Sequence, residues 1–148
     1  MNLPERFLLD SNVFISAFDD SEETHEIAQK IIDQIIEGKK VCFIPDFFLN
    51  EVLHVLSDKK KVSKKEFESF LYAFYSMPNV LESTMRFFNL SSILDLKKKY
   101  KVKMFNDAML IFLAEMLNIP IITNDHNDFK IFKQKQPDLI YFLDELEL

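Results

Sequence analysis

The sequence predicts an α/β protein, a three-layer α/β/α sandwich around a central, mostly parallel sheet. Three observations lead there. Short apolar runs that suit buried strands alternate with stretches of helical periodicity, the pattern of βαβ units. Two of those runs, "RFLLD" and "IPIITND", end abruptly in polar residues and an acid, Asp10 and Asp125, as strands do at the carboxyl edge of a parallel sheet, where ligands bind. Nothing reads as a linker or repeat: Gly38 is the only glycine and the five prolines stand singly, so residues 1–148 are expected to form one domain with one sizeable core.

"RFLL" reads as a buried parallel strand ending at Asp10. Asp20 with Glu23 three residues on resembles a capping box, and Ile27, Ala28, Ile31, Ile32, Ile35 and Ile36 then recur at helical spacing, with Gly38 as the stop. "KVCFIP" is the second strand. Asp46 is placed to cap the next helix, "FFLNEVLHVLSDK", whose Phe48, Leu49, Val52, Leu53 and Leu56 form an apolar face. Ser63 and Glu66 make an S-x-x-E capping box for a helix through Phe67, Phe70, Leu71 and Phe74, ending near Pro78. "NVLES" follows as a short strand, then a helix around "SSILDLKKKY", broken by "KVKMFN". A helix over 107–118, "DAMLIFLAEMLN", leads into the strand "IPIITND", and "LIYFL" (139–143) is the last strand.

Composition narrows the function classes. Apolar residues make up 48% of the chain and Phe alone contributes 16, enough to fold without a disulfide or structural metal. Cys42 is the only cysteine, which excludes an internal disulfide and a cysteine-rich zinc site and fits a reducing compartment. The start, "MNLPERF", has no apolar segment behind it, and no apolar run approaches the ~18 residues of a membrane span, so a cytoplasmic protein without membrane contact is expected. The net charge of −6 argues against nonspecific coating of nucleic acid but not against a nuclease, whose centre is itself acidic. The basic residues concentrate in "DKKKVSKK" (58–65) and "KKKYKVK" (97–103), which as runs also suit a solvated surface.

Four acids stand out by context. Asp10 ends the first strand, Glu51 lies within a strongly apolar helix, Asp107 opens a helix after "FN", and Asp125 follows "IPIITN". Each alone also reads as a cap or turn residue, and Glu51 as part of a polar face with Asn50 and His54. Together they should meet on one edge of the sheet. The blocks "LLDSNVFI", "IPDFFLNEVLHVL", "FNDAMLIFLAEMLNIPIITND" and "NDF" resemble, in order and spacing, the signature blocks of the PIN domain, from about residue 7 to 142. That resemblance implies a Mg²⁺- or Mn²⁺-dependent ribonuclease, and for a small single-domain chain a toxin of the VapC type held inactive by an antitoxin. It places Asp10, Glu51, Asp107 and Asp125 on the four acidic positions, Asn12 and Thr123 on auxiliary polar positions, and Asp128 on a trailing acid. The single glycine and the lysine-rich segment at 58–65 depart mildly from the family pattern.

The chemistry agrees. Carboxylates sharing a cleft raise each other's pKa unless cations intervene, and oxygen-only ligation suits hard Mg²⁺ or Mn²⁺. Two such ions about 4 Å apart can activate a water and stabilise the leaving oxygen of an in-line displacement at phosphorus. Asp10 and Asp107 are expected as direct ligands, with Asp125 completing that site or holding a second ion. Glu51 ligates directly, binds through water or orients the water. Asn12 and Thr123 hold the carboxylates or a substrate phosphate. Asp128 is either a further group of that kind or a turn cap. Asp107, at a helix N-terminus, is expected to gain roughly 0.3–1 kcal/mol for its ionised form. His126 invites a catalytic reading that loop histidines seldom satisfy, and His25 and His54 read as surface residues. Lys97, Lys98, Lys99, Lys101 and Lys103 could line the rim, and Tyr100 and Phe105 either stack on bases or pack inward.

Rival readings remain at this stage. A DNA-directed nuclease shares the acidic fold but normally needs more chain. A haloacid-dehalogenase-like phosphatase wants D-x-D where this chain has Asp10-Ser11-Asn12, and a response-regulator receiver wants paired early acids and a late lysine. A silent PIN-like module would bind RNA or protein without cleaving. The phenylalanines and the runs "FFLNEVL", "FYSM" and "MRFF" look excessive for one small core, so exposed apolar patches, a homodimer and an antitoxin peptide in a hydrophobic groove are expected.

Overall fold

Alternation of side chains along the strands sends apolar residues to both faces of one sheet, and helices cover each face. The structure is a computed structural model that describes residues 1–58, 63–84 and 89–148. Residues 59–62 of the lysine run and residues 85–88, the "MRFF" stretch, lie outside the described residues. The strands are β1 (Arg6–Leu9), β2 (Val41–Pro45), β3 (Val80–Ser83), β4 (Ile121–Thr123) and β5 (Ile140–Phe142), in the order β3-β2-β1-β4-β5. Every pairing is parallel, with Phe7 opposite Cys42, Leu8 opposite Ile121 and Ile122 opposite Tyr141. Successive strands run outward from β1 to β3, then the chain crosses to β4 on the other side of β1. The crevice between β1 and β4 is therefore the topological switch point.

The helices are α1 (Ser11–Ser16), α2 (His25–Ile36), α3 (Phe48–Ser57), α4 (Lys64–Ser76), α5 (Leu90–Tyr100), α6 (Phe105–Leu117) and α7 (His126–Lys135). Phe7, Leu9, Cys42, Ile44 and Ile122 face α1 to α4, whereas Leu8, Ile121 and Ile140 face α5 to α7. This is the three-layer sandwich expected from the sequence. On the first side Phe14 is fully buried, its ring centroid 5.0–5.6 Å from those of Phe18, Phe48, Phe70 and Phe74. None of the described phenylalanines is among the large apolar residues left exposed, so the surplus that suggested apolar patches is absorbed by this aromatic cluster and its counterpart around Phe129 and Phe132.

Local signals set most helix ends. Ala28, Ile31, Ile32 and Ile35 of α2 are buried, each large one worth roughly 1.5–3 kcal/mol. Gly38 at φ +72° closes α2: its N–H donates to the Ile35 carbonyl and that of Lys39 to Gln34, the paired bonds of a Schellman motif. Ser63 caps α4 by accepting from the Glu66 N–H at 3.4 Å.

Three starts differ from expectation. The Asp20–Glu23 box is not used: α2 begins at His25 with Thr24 in the cap position, because Asp19 turns the chain first by accepting from the Ser21 N–H at 3.1 Å. Asp46 does not head α3, whose cap position is Phe47; the Asp46 N–H instead extends the β2–β3 ladder to the Ser83 carbonyl. Helix α6 begins at Phe105, two residues before Asp107. Helices α1 and α7 are additions. The first is too short and too uniformly buried to show an amphipathic stripe, and the second is largely polar with Phe129 and Phe132 as its buried residues.

Candidate active site

The centre of the site is set where β1 stops. Asp10 continues the sheet ladder with one bond, its N–H to the Ile122 carbonyl at 3.0 Å, and then heads α1. Its carboxylate does not cap that helix, so it projects into the crevice beside β4. Buried and short of water, it accepts from the Thr123 hydroxyl at 2.7 Å and from Asn12 Nδ2 at 3.0 Å, both on Oδ2, with Ser11 Oγ 3.5 Å from Oδ1. Burial pushes its pKa from 3.8 to about 6; the Thr123 hydroxyl and the backbone N–H groups of Asn12 and Ser11 pull it down, and the charge of Asp125 pushes it further up.

Asn12 and Thr123 tie β1 to β4. Asn12 Nδ2 lies 3.2 Å from Thr123 Oγ1, and Asn12 Oδ1 accepts from the Asn124 N–H at 3.1 Å. Thr123 Oγ1 also accepts from the Asp125 N–H at 3.1 Å. Asp125 heads α7, its Oδ1 accepting from the N–H groups of Asn127 and Asp128, each at 3.0 Å. It is thus a helix cap and a member of the crevice at once, the two readings the sequence set against each other.

Glu51 and Asp107 arrive from helices on opposite faces. Glu51 sits in the first turn of α3, which packs on α1, and its half-buried side chain meets Ser11 and Asn106 rather than joining His54 on the exposed face. Burial first, then the charge of Asp10, raises its pKa from 4.5 to about 7, against hydrogen bonds from Asn106 and Ser11. Asp107, third residue of α6, rises from 3.8 to about 7 through burial and the charges of Asp10, Asp128, Asp125 and Glu51. The helix N-terminus expected to keep it ionised is outweighed by burial and these neighbours. Asp128 also rises, mainly by burial and then the charge of Asp125, with Lys103 opposing.

All seven residues singled out in the sequence therefore converge on the carboxyl edge of β1 and β4. Reading the sequence missed Ser11, Asn106 and Asn124, polar residues directly beside Asp10, Asp107 and Asp125. Their adjacency to the acids was the available signal. His126 points elsewhere: its ring stacks on Phe142 at 3.9 Å and its Nε2 lies 3.0 Å from Asp144 on the C-terminal turn. Tyr100 is buried edge-on to Phe132, its hydroxyl on Glu115 at 2.6 Å, so it offers no ring to a base. Phe105 packs into the core on the α6 side.

Acids that raise one another across a crevice are chemically matched to a divalent ion, and the available carboxylate donors are all oxygens. Among the described residues no three acids, histidines or cysteines stand close enough together to grip one ion as they are.

The sequence matches the family model of the PIN domain over residues 7–135. No curated protein matches the sequence. Among solved structures, VapBC2 from Rickettsia felis, bound to a DNA fragment from its promoter, is similar at a TM-score of 0.63 and 17% identity, over 93% of this chain and 98% of that one. FitAcB from Neisseria gonorrhoeae is similar at 0.63 and 16%, over 95% and 99%. A toxin-antitoxin complex from Klebsiella pneumoniae is similar at 0.57 and 18%, over 83% and 89%.

Proposed function

The chain belongs to the PIN domain family, a family of nucleases, and from that premise we propose that it is a Mg²⁺- or Mn²⁺-dependent ribonuclease acting as the toxin of a toxin–antitoxin pair. One observation carries the catalytic reading: Asp10, Glu51 and Asp107, from β1, α3 and α6, face one crevice with their pKa values driven to about 6, 7 and 7 by burial and by one another. Groups perturbed together in a cleft mark a functional site more often than a structural one.

Asp10, Asp107 and Asp125 would hold the metal, with Glu51 on the α3 side. A divalent ion there would supply charge to activate water and to stabilise the oxygen leaving phosphorus. The chain's own part is positioning. Asn12 and Thr123 fix the rotamer of Asp10 through Oδ2, while the Ser11 hydroxyl lies 3.5 Å from Oδ1. Asp125 is held from below by two α7 amides and Glu51 by Asn106 and Ser11, so the carboxylates are set before substrate arrives. Glu51, held by Asn106 and Ser11 on the α3 side, would ligate the ion directly, bind it through water or orient the attacking water.

The toxin part rests on two supports. The structures similar to this chain include VapBC2 and FitAcB, and a groove between α3 and α4, lined by Leu53, Leu56, Phe67 and Leu71, offers an apolar bed for an antitoxin segment. Leu90 and Leu94, one turn apart and exposed on α5, support a homodimer; a monomer by light scattering at micromolar concentration would remove that part. No described helix is long and apolar enough to cross a membrane.

The test is cleavage of single-stranded and structured RNAs with Mn²⁺, Mg²⁺ or EDTA by the parent protein and by Asp10→Asn and Asp107→Asn. Metal-dependent cleavage absent from both variants is expected. No cleavage of any RNA, with no Mn²⁺ binding by calorimetry, would favour a silent binding module. Metal binding with cleavage of DNA alone would redirect the substrate.

A further inference from the structure

Two lysine-bearing helix ends meet on one ring. Lys99, in the last turn of α5, places Nζ 4.8 Å from the Tyr100 ring centre, and Lys135, in the last turn of α7, places Nζ 5.8 Å from the same centre. Both side chains are exposed, while the ring between them is buried and held by Phe132. Lysine near a helix C-terminus is favoured by the dipole alone. The dipole does not explain why lysines from two different helices converge.

The geometry links this pair to the carboxylates. Asp128 and Lys135 are seven residues apart on α7, hence on one face and separated by about 10 Å along the axis. Between them Phe132 docks on Tyr100. Lys103, exposed in the turn between α5 and α6, stands two residues before the start of α6, whose first turn carries Asp107 to the crevice. Lys103 and the Lys99–Lys135 pair thus form a cationic strip that starts at the crevice and runs down the α5–α7 seam. Lys133 is not part of it, because Glu145 takes its ammonium at 2.7 Å. Glu115, which accepts the Tyr100 hydroxyl, offsets some of the charge at the far end.

Building on the nuclease reading, we propose that Lys99, Lys103 and Lys135 carry the phosphate backbone of a single-stranded nucleic acid, RNA by that reading, along the α5–α7 seam as it leaves the crevice. A protein of net charge −6 repels polyanions over most of its surface, so a local cationic track beside the acids both recruits the strand and fixes its direction. Among the described residues the strip has no exposed aromatic platform, Tyr100 being buried, so it is suited to gripping phosphates and not bases. Sequence preference must arise nearer the crevice.

The experiment measures binding without cleavage. Asp10→Asn protein is titrated into a labelled oligoribonucleotide of about 12 nucleotides across a salt series and read by fluorescence anisotropy. The same protein carrying Lys99→Gln, Lys103→Gln and Lys135→Gln is compared with one carrying Lys30→Gln and Lys39→Gln on the far side. Losing three phosphate contacts should lower the slope of log affinity against log salt by about 2 and weaken low-salt binding at least tenfold, while the control pair changes neither. Equal slopes for the strip variant and its parent, or no RNA binding by either, would overturn the proposal. So would loss of an acidic peptide's binding with RNA binding intact. A matched single-stranded DNA that shows the same slope change supports a backbone grip. The nuclease reading fails separately: a strip-dependent slope with no metal-dependent cleavage by the wild-type chain keeps the track and removes the enzyme.

Discussion

Replacing Asp10 by asparagine should make the metal-free protein more stable while abolishing cleavage. The carboxyl is buried and its pKa is raised from 3.8 to about 6, chiefly by desolvation. Between those two values the folded protein holds more of this proton than the unfolded chain does, so stability falls as pH rises through the window and stays lowered above it. A rise of about 2 in pKa corresponds to about 3 kcal/mol at neutral pH, an upper figure because an ionised site relaxes. Asparagine removes the charge and keeps an oxygen to accept from Thr123 and Asn12, the two short bonds on Oδ2. The variant should therefore melt up to roughly 6–12 °C higher near pH 8 in EDTA, and within a few degrees of the parent near pH 4. Thermal scans monitored by circular dichroism across that range make the test. An Asp10→Asn protein that melts no higher than its parent near pH 8 would refute the claim that the crevice stores unfavourable charge.

Mn²⁺ should raise the melting temperature more near pH 8 than near pH 5, because protons compete for Asp10, Glu51 and Asp107, whose pKa values lie at about 6, 7 and 7; equal shifts at both would mean that these groups do not bind it. Thr24→Val removes the acceptor that holds Asn124 Nδ2 at 3.0 Å, and with it one anchor of the Asn12–Asp10 bonds, so Mn²⁺ affinity by calorimetry should fall about tenfold with little loss of stability. Phe14→Ala, at the hub of the aromatic cluster, should cost about 3–5 kcal/mol by urea denaturation. Gly38→Ala should cost about 1–2 kcal/mol through backbone strain at φ +72°, since no atom lies within 4 Å of the added methyl; a neutral effect would show that the turn relaxes.

The two acids at strand ends were the most legible part of the site. A charge directly after "FLL" or "IIT" has few places to go in a parallel sheet, and strand geometry fixes which edge it occupies. Asp107 is legible by position but not in its charge balance: a helix start favours ionisation, and only the assembled crevice supplies the burial and the four other acids that raise its pKa. Glu51 was the least determined. A lone acid in an apolar helix can face water or the interior, and its rotation is set by how α3 packs on α1. The pairing of Thr24 with Asn124, 100 residues apart, left no local trace. Nor did the six residues of α1, buried on nearly all sides and so without the polar face that periodicity needs.

By itself the sequence determined the fold class, the strand set and the placement of Asp10 and Asp125 at strand ends, because these follow from short-range chemistry: alternation, periodicity, and charges that cannot be buried inside a strand. Tertiary structure alone decided the strand order, the charge balance of the crevice, the inward turn of the described phenylalanines and the meeting of Lys99 with Lys135 across Tyr100. Each of these depends on contacts between segments distant in the chain, and the energy of such a contact exists only once both segments have been placed.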